Sequence, residues 1–220
     1  MASAGKEGHP DRPPFDKAFT QAAGIGISWQ TLRQFTETTS PSTLLAAHPD
    51  IVHADIKIPA IEGLGENETT LAIFQSKTCG SRHRPAILFV HGGGQVVGNR
   101  FFGVEPFLNI VEDARDVVLV SVEYRLAPAH RAPAGAHDCY AAAVNLAENA
   151  TELGIDASRI LIYGVSGGAG PAAAACMLAR ERNHPSIRAQ MLSIPMLDDR
   201  DSYSSHKQFE FGTVWDGKST

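Results

Sequence analysis

A serine lies at the centre of Gly164-Val165-Ser166-Gly167-Gly168, straight after the apolar run Ile160 to Tyr163 and just before an Ala-rich stretch, Pro171 to Arg182. A G-x-S-x-G sequence in that setting holds a hydroxyl out on a sharp strand-to-helix turn, where it can attack a carbonyl. Gly164 and Gly168, two residues to either side, relieve the steric cost of such a turn. A helix that starts near Gly167 points free amides and the positive end of its dipole at the same spot. The Gly167 amide can then donate to the oxyanion that develops during acyl transfer. A second candidate lies upstream at His91-Gly92-Gly93-Gly94, after the apolar run Pro85 to Val90. Three successive glycines let backbone amides come close to a substrate oxygen, and Gly93 and Gly94 are the expected donors. His91 is expected to brace this loop through hydrogen bonding, not to act as a base.

A third charged segment, Glu123-Tyr124-Arg125-Leu126-Ala127-Pro128, also follows an apolar run. It is read as a structural Glu–Arg pair that ties a loop down. His137 is read as surface or packing, and Asp138 as the charge that opens the next helix.

These residues need elements to position them. Ala86–Val90 and Val117–Val122 are short, mostly apolar runs without polar alternation, and Ile160–Tyr163 and Ala189–Ile194 are further candidates, the pattern of strands buried on both faces of a parallel sheet. Helical segments separate them: Glu105–Arg115 with Phe107, Ile110 and Val111, then Asp138–Ala150, then Pro171–Arg182, whose proline suits a first helical turn. Upstream, Ile51–Pro59 alternates, which places Val52, Ala54, Ile56 and Ile58 inward, and Thr69–Phe74 is its hairpin partner. Thr31–Leu45 has helical character, with Leu32, Phe35 and Leu44 as anchors. Strand, strand, then repeated strand–helix predicts an α/β fold with an antiparallel entry and a mostly parallel sheet flanked by helices. Both glycine loops then sit at C-terminal strand ends, where open parallel sheets bind ligands.

The chain has 220 residues, 43% hydrophobic and 20% charged, with a net charge of −5. That suits one globular domain, here residues 26–220 behind an N-terminal arm at 1–25 expected to be flexible. The charge and the scattered Lys and Arg predict no nucleic-acid partner and no membrane surface. Cys79, Cys139 and Cys176 are too few and too widely spaced for a disulfide framework or a zinc site. No cofactor and no metal are expected. With no apolar leader in the first residues and no bilayer-length apolar run, the expectation is a cytoplasmic protein.

The order HGGG, VEYRLAP, G-x-S-x-G resembles the hormone-sensitive-lipase-like branch of the α/β-hydrolase superfamily, from about Ile51 to the end of the chain. The tail Ile194 to Asp199 is also similar to the segment after that family's sixth strand. The resemblance implies an eight-stranded, mostly parallel sheet, ester hydrolysis without metal or cofactor, and a Ser–Asp–His triad. It implies Ser166 as nucleophile and the amides of Gly93, Gly94 and Gly167 as the oxyanion hole, with His91, Gly92, Gly164 and Gly168 supporting the motifs. The substrate would be a small ester or other acyl compound. Val165, Gly167 and Ala129 depart from residues usual in the family, which are acidic, alanine and acidic.

In this fold the acid and the histidine follow the serine in chain order. The family's acid and base come after the seventh and eighth strands, so the chain is expected to lack the C-terminal strands. Asp198, Asp199, Asp201, His206 and Asp216 are the late candidates, and Asp198 to His206 offers an acid and a base in the right order. Because the resemblance places this segment before the triad acid, the acids are read as loop anchors and His206 as lying on a solvated cap segment. A sheet ending at Ala189–Ile194 has an open apolar edge, which predicts self-association or a partner chain. Two other readings stand beside the hydrolase. One is a non-catalytic ligand-binding or interaction module on the same scaffold. The other is nucleotide binding through Gly168 to Ala173, which fits G-x-G-x-x-A but lacks the acid expected about 20 residues on.

Overall fold

The structure, a computed structural model, describes residues 33, 34, 36, 38–65, 67–80, 83–200, 203, 204 and 207. Arg33–Leu197 forms one compact unit, and the described residues from Asp198 onward belong to another. The predicted arm at 1–25 and the anchors Leu32 and Phe35 lie outside the described residues.

The unit is built on one six-stranded sheet in the order β1-β2-β4-β3-β5-β6. Strands β1 (Ile51–Ile58) and β2 (Thr69–Ser76) form the antiparallel entry, and β2 runs antiparallel to β4 (Val118–Val122). From there β4, β3 (Arg84–Val90), β5 (Ile155–Val165) and β6 (Ala189–Ser193) are parallel. All five residues of β4, Ser121 included, are buried, as its place in the middle of the sheet requires.

Helices cover both faces. Helix α1 (Pro41–Ala47) is capped by the Ser40 side chain and buries Leu44. Helix α2 (Glu105–Ala114) has a proline in its first turn and ends on left-handed Arg115. These two pack with Phe74, Phe89 and Leu119. On the other face, α3 (Ala134–Glu148) and α5 (Ala169–Glu181) lie against each other over Leu88, Val120 and Ile162. The short α4 (Ala150–Leu153) links α3 to β5 and ends on left-handed Gly154.

Several expectations are corrected. In β1, Val52 and Ala54 are exposed, whereas Ile51 is buried and the His53 ring stacks on Phe74 at 5.0 Å. The outer end of this edge strand has cover only on the α1–α2 face, so alternation in sequence chose the wrong side. In α2 the inward residues are Leu108 and Val111, and Ile110 is 44% exposed. Helix α3 begins at Ala134, four residues before Asp138. Strand β6 is not buried on both faces: Met191 is 55% exposed, because β6 pairs with β5 alone among the described strands. Cys139 is buried and Cys176 is half-buried.

Candidate active site

Strands β3 and β5 pair in parallel from Ala86↔Ile160 to Val90↔Gly164. Their C-terminal ends therefore deliver both glycine loops to one place. Strand β5 ends at Val165, and Ser166–Gly168 forms a single 3₁₀ turn that leads straight into α5. Ser166 takes a left-handed backbone, φ 51°, which an L-residue adopts only where the surroundings impose it. It is half-buried. Its carbonyl accepts from the Ala169 amide and, at 3.1 Å, from the Met196 amide.

The surroundings are mostly backbone. A Cβ placed on Gly167 would stand 2.5 Å from both Cα and N of Gly94 and 2.8 Å from the Gln95 nitrogen. A Cβ on Gly168 would collide with the carbonyl oxygens of Val90 and His91, and one on Gly164 would meet Ala172 Cβ at 2.6 Å. One on Gly92 would lie 3.5 Å from Ser166 Cβ. The two loops thus converge around Ser166, touching through atoms that leave no room for side chains. Gly93 and Gly94 have φ of 108° and 60°, and the left-handed course continues through Gln95 at 63°. Among the described residues, no acceptor pairs with the amides of Gly93, Gly94 or Gln95. Successive unpaired amides on a left-handed backbone can bind a negatively charged oxygen.

His91 is fully buried beneath the loop. Its Nδ1 lies 2.8 Å from the Gly92 carbonyl oxygen, its ring stacks on Tyr124 at 4.3 Å, and its own carbonyl accepts from the Tyr124 hydroxyl at 2.8 Å. Burial pushes its pKa down to about 4, so the ring is neutral and Nδ1 donates to Gly92. Nε2 is left buried without a partner among the described residues. The same burial holds the Tyr124 phenol well above its usual range.

The charged segment after β4 is paired differently from the expectation. Glu123 does not bind Arg125. Its Oε2 accepts from Arg100 Nη1 at 2.8 Å and from the Arg100 amide at 3.1 Å, while Arg100 also grips Asp55 through Nε and Nη2 at 3.0 and 2.6 Å. This contact holds the Asp55 carboxyl below its ordinary pKa. Arg125 instead makes a forked pair with Asp138 inside α3, and Asp138 also accepts the Arg125 amide at 2.8 Å. Asp138 is therefore a buried anchor and not a helix-opening charge. His137 bonds the Leu64 carbonyl through Nδ1 at 2.7 Å. Phe101 packs edge-on to Phe74 and His53 in the core.

Arg100, Gln95 and Met196 join this neighbourhood without having been singled out in the sequence. Only Gln95 carried a signal, its place directly after three glycines. Among the late candidates, Asp198 is gripped by Arg200 Nε at 2.8 Å and by the Tyr203 hydroxyl at 2.9 Å, contacts that hold its carboxyl well below the usual range. Asp201, His206 and Asp216 lie outside the described residues. No described side chain hydrogen bonds to the Ser166 hydroxyl. No helix among the described residues is long and apolar enough to cross a membrane.

Fold and loop geometry together are those of an α/β hydrolase, and residues 87–219 match the alpha/beta hydrolase fold family. The chain belongs to that family, in its hormone-sensitive-lipase-like branch. It is 39% identical over 181 residues to Carboxylesterase NlhH of Mycobacterium tuberculosis, covering 82% of this chain and 53% of that protein. It is 30% identical over 170 residues to Arylacetamide deacetylase-like 4 of Homo sapiens, covering 76% of this chain and 39% of that one. Among solved structures, Bacterial Heroin Esterase superposes with a TM-score of 0.76 at 29% identity, covering 94% of this chain and 66% of that chain. The chain spans about a third to a half of the length of the curated relatives it matches.

Proposed function

We propose that this chain carries the nucleophile and oxyanion-binding half of a serine carboxylic-ester hydrolase acting on small-molecule esters. The observation that carries the reading is the contact of the Gly92–Gly94 loop with the Ser166–Gly168 turn, closer than any side chain would allow. The Ser166 hydroxyl attacks the ester carbonyl while a general base takes its proton, and the carbonyl electrons move onto the carbonyl oxygen. That oxygen turns negative beside the amides of Gly93, Gly94 and Gly167. As it collapses, the base returns the proton to the departing oxygen, which leaves as the alcohol, and water hydrolyses the acyl-enzyme by the same sequence. The relatives named carboxylesterase and heroin esterase support an ester as substrate.

His91 does not serve as the base. Its Nδ1 is committed to Gly92, its ring is enclosed, and its low pKa leaves little affinity for a proton. The resemblance puts the triad histidine after the eighth strand; should His206, outside the described residues, serve as base in this chain, its removal would lower kcat by roughly 10⁴-fold or more. The deciding experiment is labelling with a fluorophosphonate probe. The wild-type chain should be labelled and Ser166→Ala should not. A wild-type chain that stays unlabelled would leave the scaffold as a ligand-binding module.

A further inference from the structure

The glycine loop has little of its own to hold it in shape. It has no side chains over three residues, and three successive residues are left-handed. Within the loop, His91 Nδ1 bonds the Gly92 carbonyl and the amides of Val96 and Val97 donate to the Gly93 carbonyl. From outside, the Thr36 carbonyl accepts from Asn99, and one short stretch, Glu123–Ala127, reaches the loop at its entry, middle and exit. At the loop's entry the Tyr124 hydroxyl donates to the His91 carbonyl while its ring stacks on the imidazole. In the middle the Ala127 amide donates to the Gln95 carbonyl at 2.8 Å. At the exit Glu123 accepts both the amide and the guanidinium of Arg100. The stretch is itself locked to α3 by the forked Arg125–Asp138 pair. A second carboxylate, Asp55 on β1, holds the far side of the Arg100 guanidinium, which also lies over the Phe101 ring at 4.4 Å.

We infer that Glu123–Ala127 is the template that shapes the glycine loop, and that Glu123, acting through Arg100, is a positioning residue for the oxyanion-binding amides. This rests on the hydrolase reading above. Its physical basis is the steep dependence of transition-state stabilisation on donor placement. Oxyanion donors act only within hydrogen-bond reach, and displacements on the order of 1 Å cost roughly a hundredfold in rate. Contacts that hold the loop without touching substrate should influence kcat and leave KM alone, since the ground-state ester does not need the donors in their final place.

The experiment compares Glu123→Gln, Arg100→Met and the double variant on p-nitrophenyl acetate, with the fluorophosphonate labelling rate as a second readout. Each single variant should lower kcat and labelling about tenfold with KM within about twofold, and the double variant should be no worse than the poorer single. Lys57→Gln, which removes an exposed pair with Glu68, is the control and should change nothing. Should Glu123→Gln fail to fold, Tyr124→Phe keeps the packed ring and removes only the hydroxyl. It should cost about threefold in kcat. Variants that lose thermal stability yet keep wild-type kcat and labelling would overturn the assignment, since the stretch would then be structural only. A wild-type chain that neither turns over the ester nor labels at Ser166 would instead defeat the hydrolase reading, and this assignment with it.

Discussion

The convergence of the β3 and β5 ends and the β6 edge lie one strand apart and are built in opposite ways. At the first, backbone packs on backbone, Gly167 and Gly168 are buried, and a methyl group has nowhere to go. At the second, side chains stand in the open: Met191 is 55% exposed and Ile194 76% exposed. One strand, β5, serves both. Its inward residues Ile160 and Ile162 are fully buried, while Leu161 and Tyr163, beside β6 residues Ala189 and Met191, are only half-buried. The contrast teaches where this chain tolerates change. Sequence variation should be costly where atoms are already in contact and nearly free where one side of a residue faces no neighbour.

The sharpest way to break this comparison is Gly168→Ala. The new methyl group would collide with the carbonyl of Val90 at the end of β3 and with that of His91, which the Tyr124 hydroxyl holds, so the loss should be about 3 kcal/mol or more, read from chemical denaturation. A loss under about 1 kcal/mol would mean the loops are not packed as described. A similar magnitude is expected from acid acting on His91. Its folded pKa is depressed from 6.5 to about 4, so the folded state binds fewer protons than the unfolded chain between those values. The stability is present in full above pH 6.5 and falls as pH drops toward 4. By then about 3 kcal/mol should be gone. Denaturation midpoints measured across that range should fall for wild type and flatten for His91→Gln.

Next in size is Gly167→Ala, which divides function from stability. Its Cβ would press on Gly94 and Gln95, loop atoms freer to retreat than the carbonyls of Val90 and His91. The fold should survive, and because alanine is usual at this position in the family, labelling at Ser166 should change by no more than about tenfold as the loop backs away. A loss of roughly a hundredfold or more would show that the loop cannot retreat. The smallest effect belongs to the edge. Met191→Thr should alter stability by no more than about 0.5 kcal/mol and leave labelling unchanged. A large loss there would reveal a contact that the exposed face of β6 does not display.

Much of this was legible in the sequence, because the signals were local. Short, mostly apolar runs marked the parallel strands, and the order of elements marked the antiparallel entry. Glycines clustered around one serine and in one triplet marked the two loops. What stayed hidden depended on partners distant in the chain. Glu123 and Arg125 sit two residues apart and invite pairing, yet one reaches back to Arg100 and the other forward to Asp138. Val52 and Ala54 fit an inward alternation, but an edge strand is buried only where a helix happens to cover it.

The sequence by itself determined the parallel body, the sharp strand-to-helix turn at Ser166 and the presence of glycine-rich loops, since each follows from residue type and spacing within a few positions. Only the tertiary structure decided that β3 and β5 lie side by side and that Gly94 touches Gly167. It also brought the stretch after β4 into contact with the glycine loop. Those facts follow from strand order and from which side chains meet across the sheet, and no local pattern encodes them.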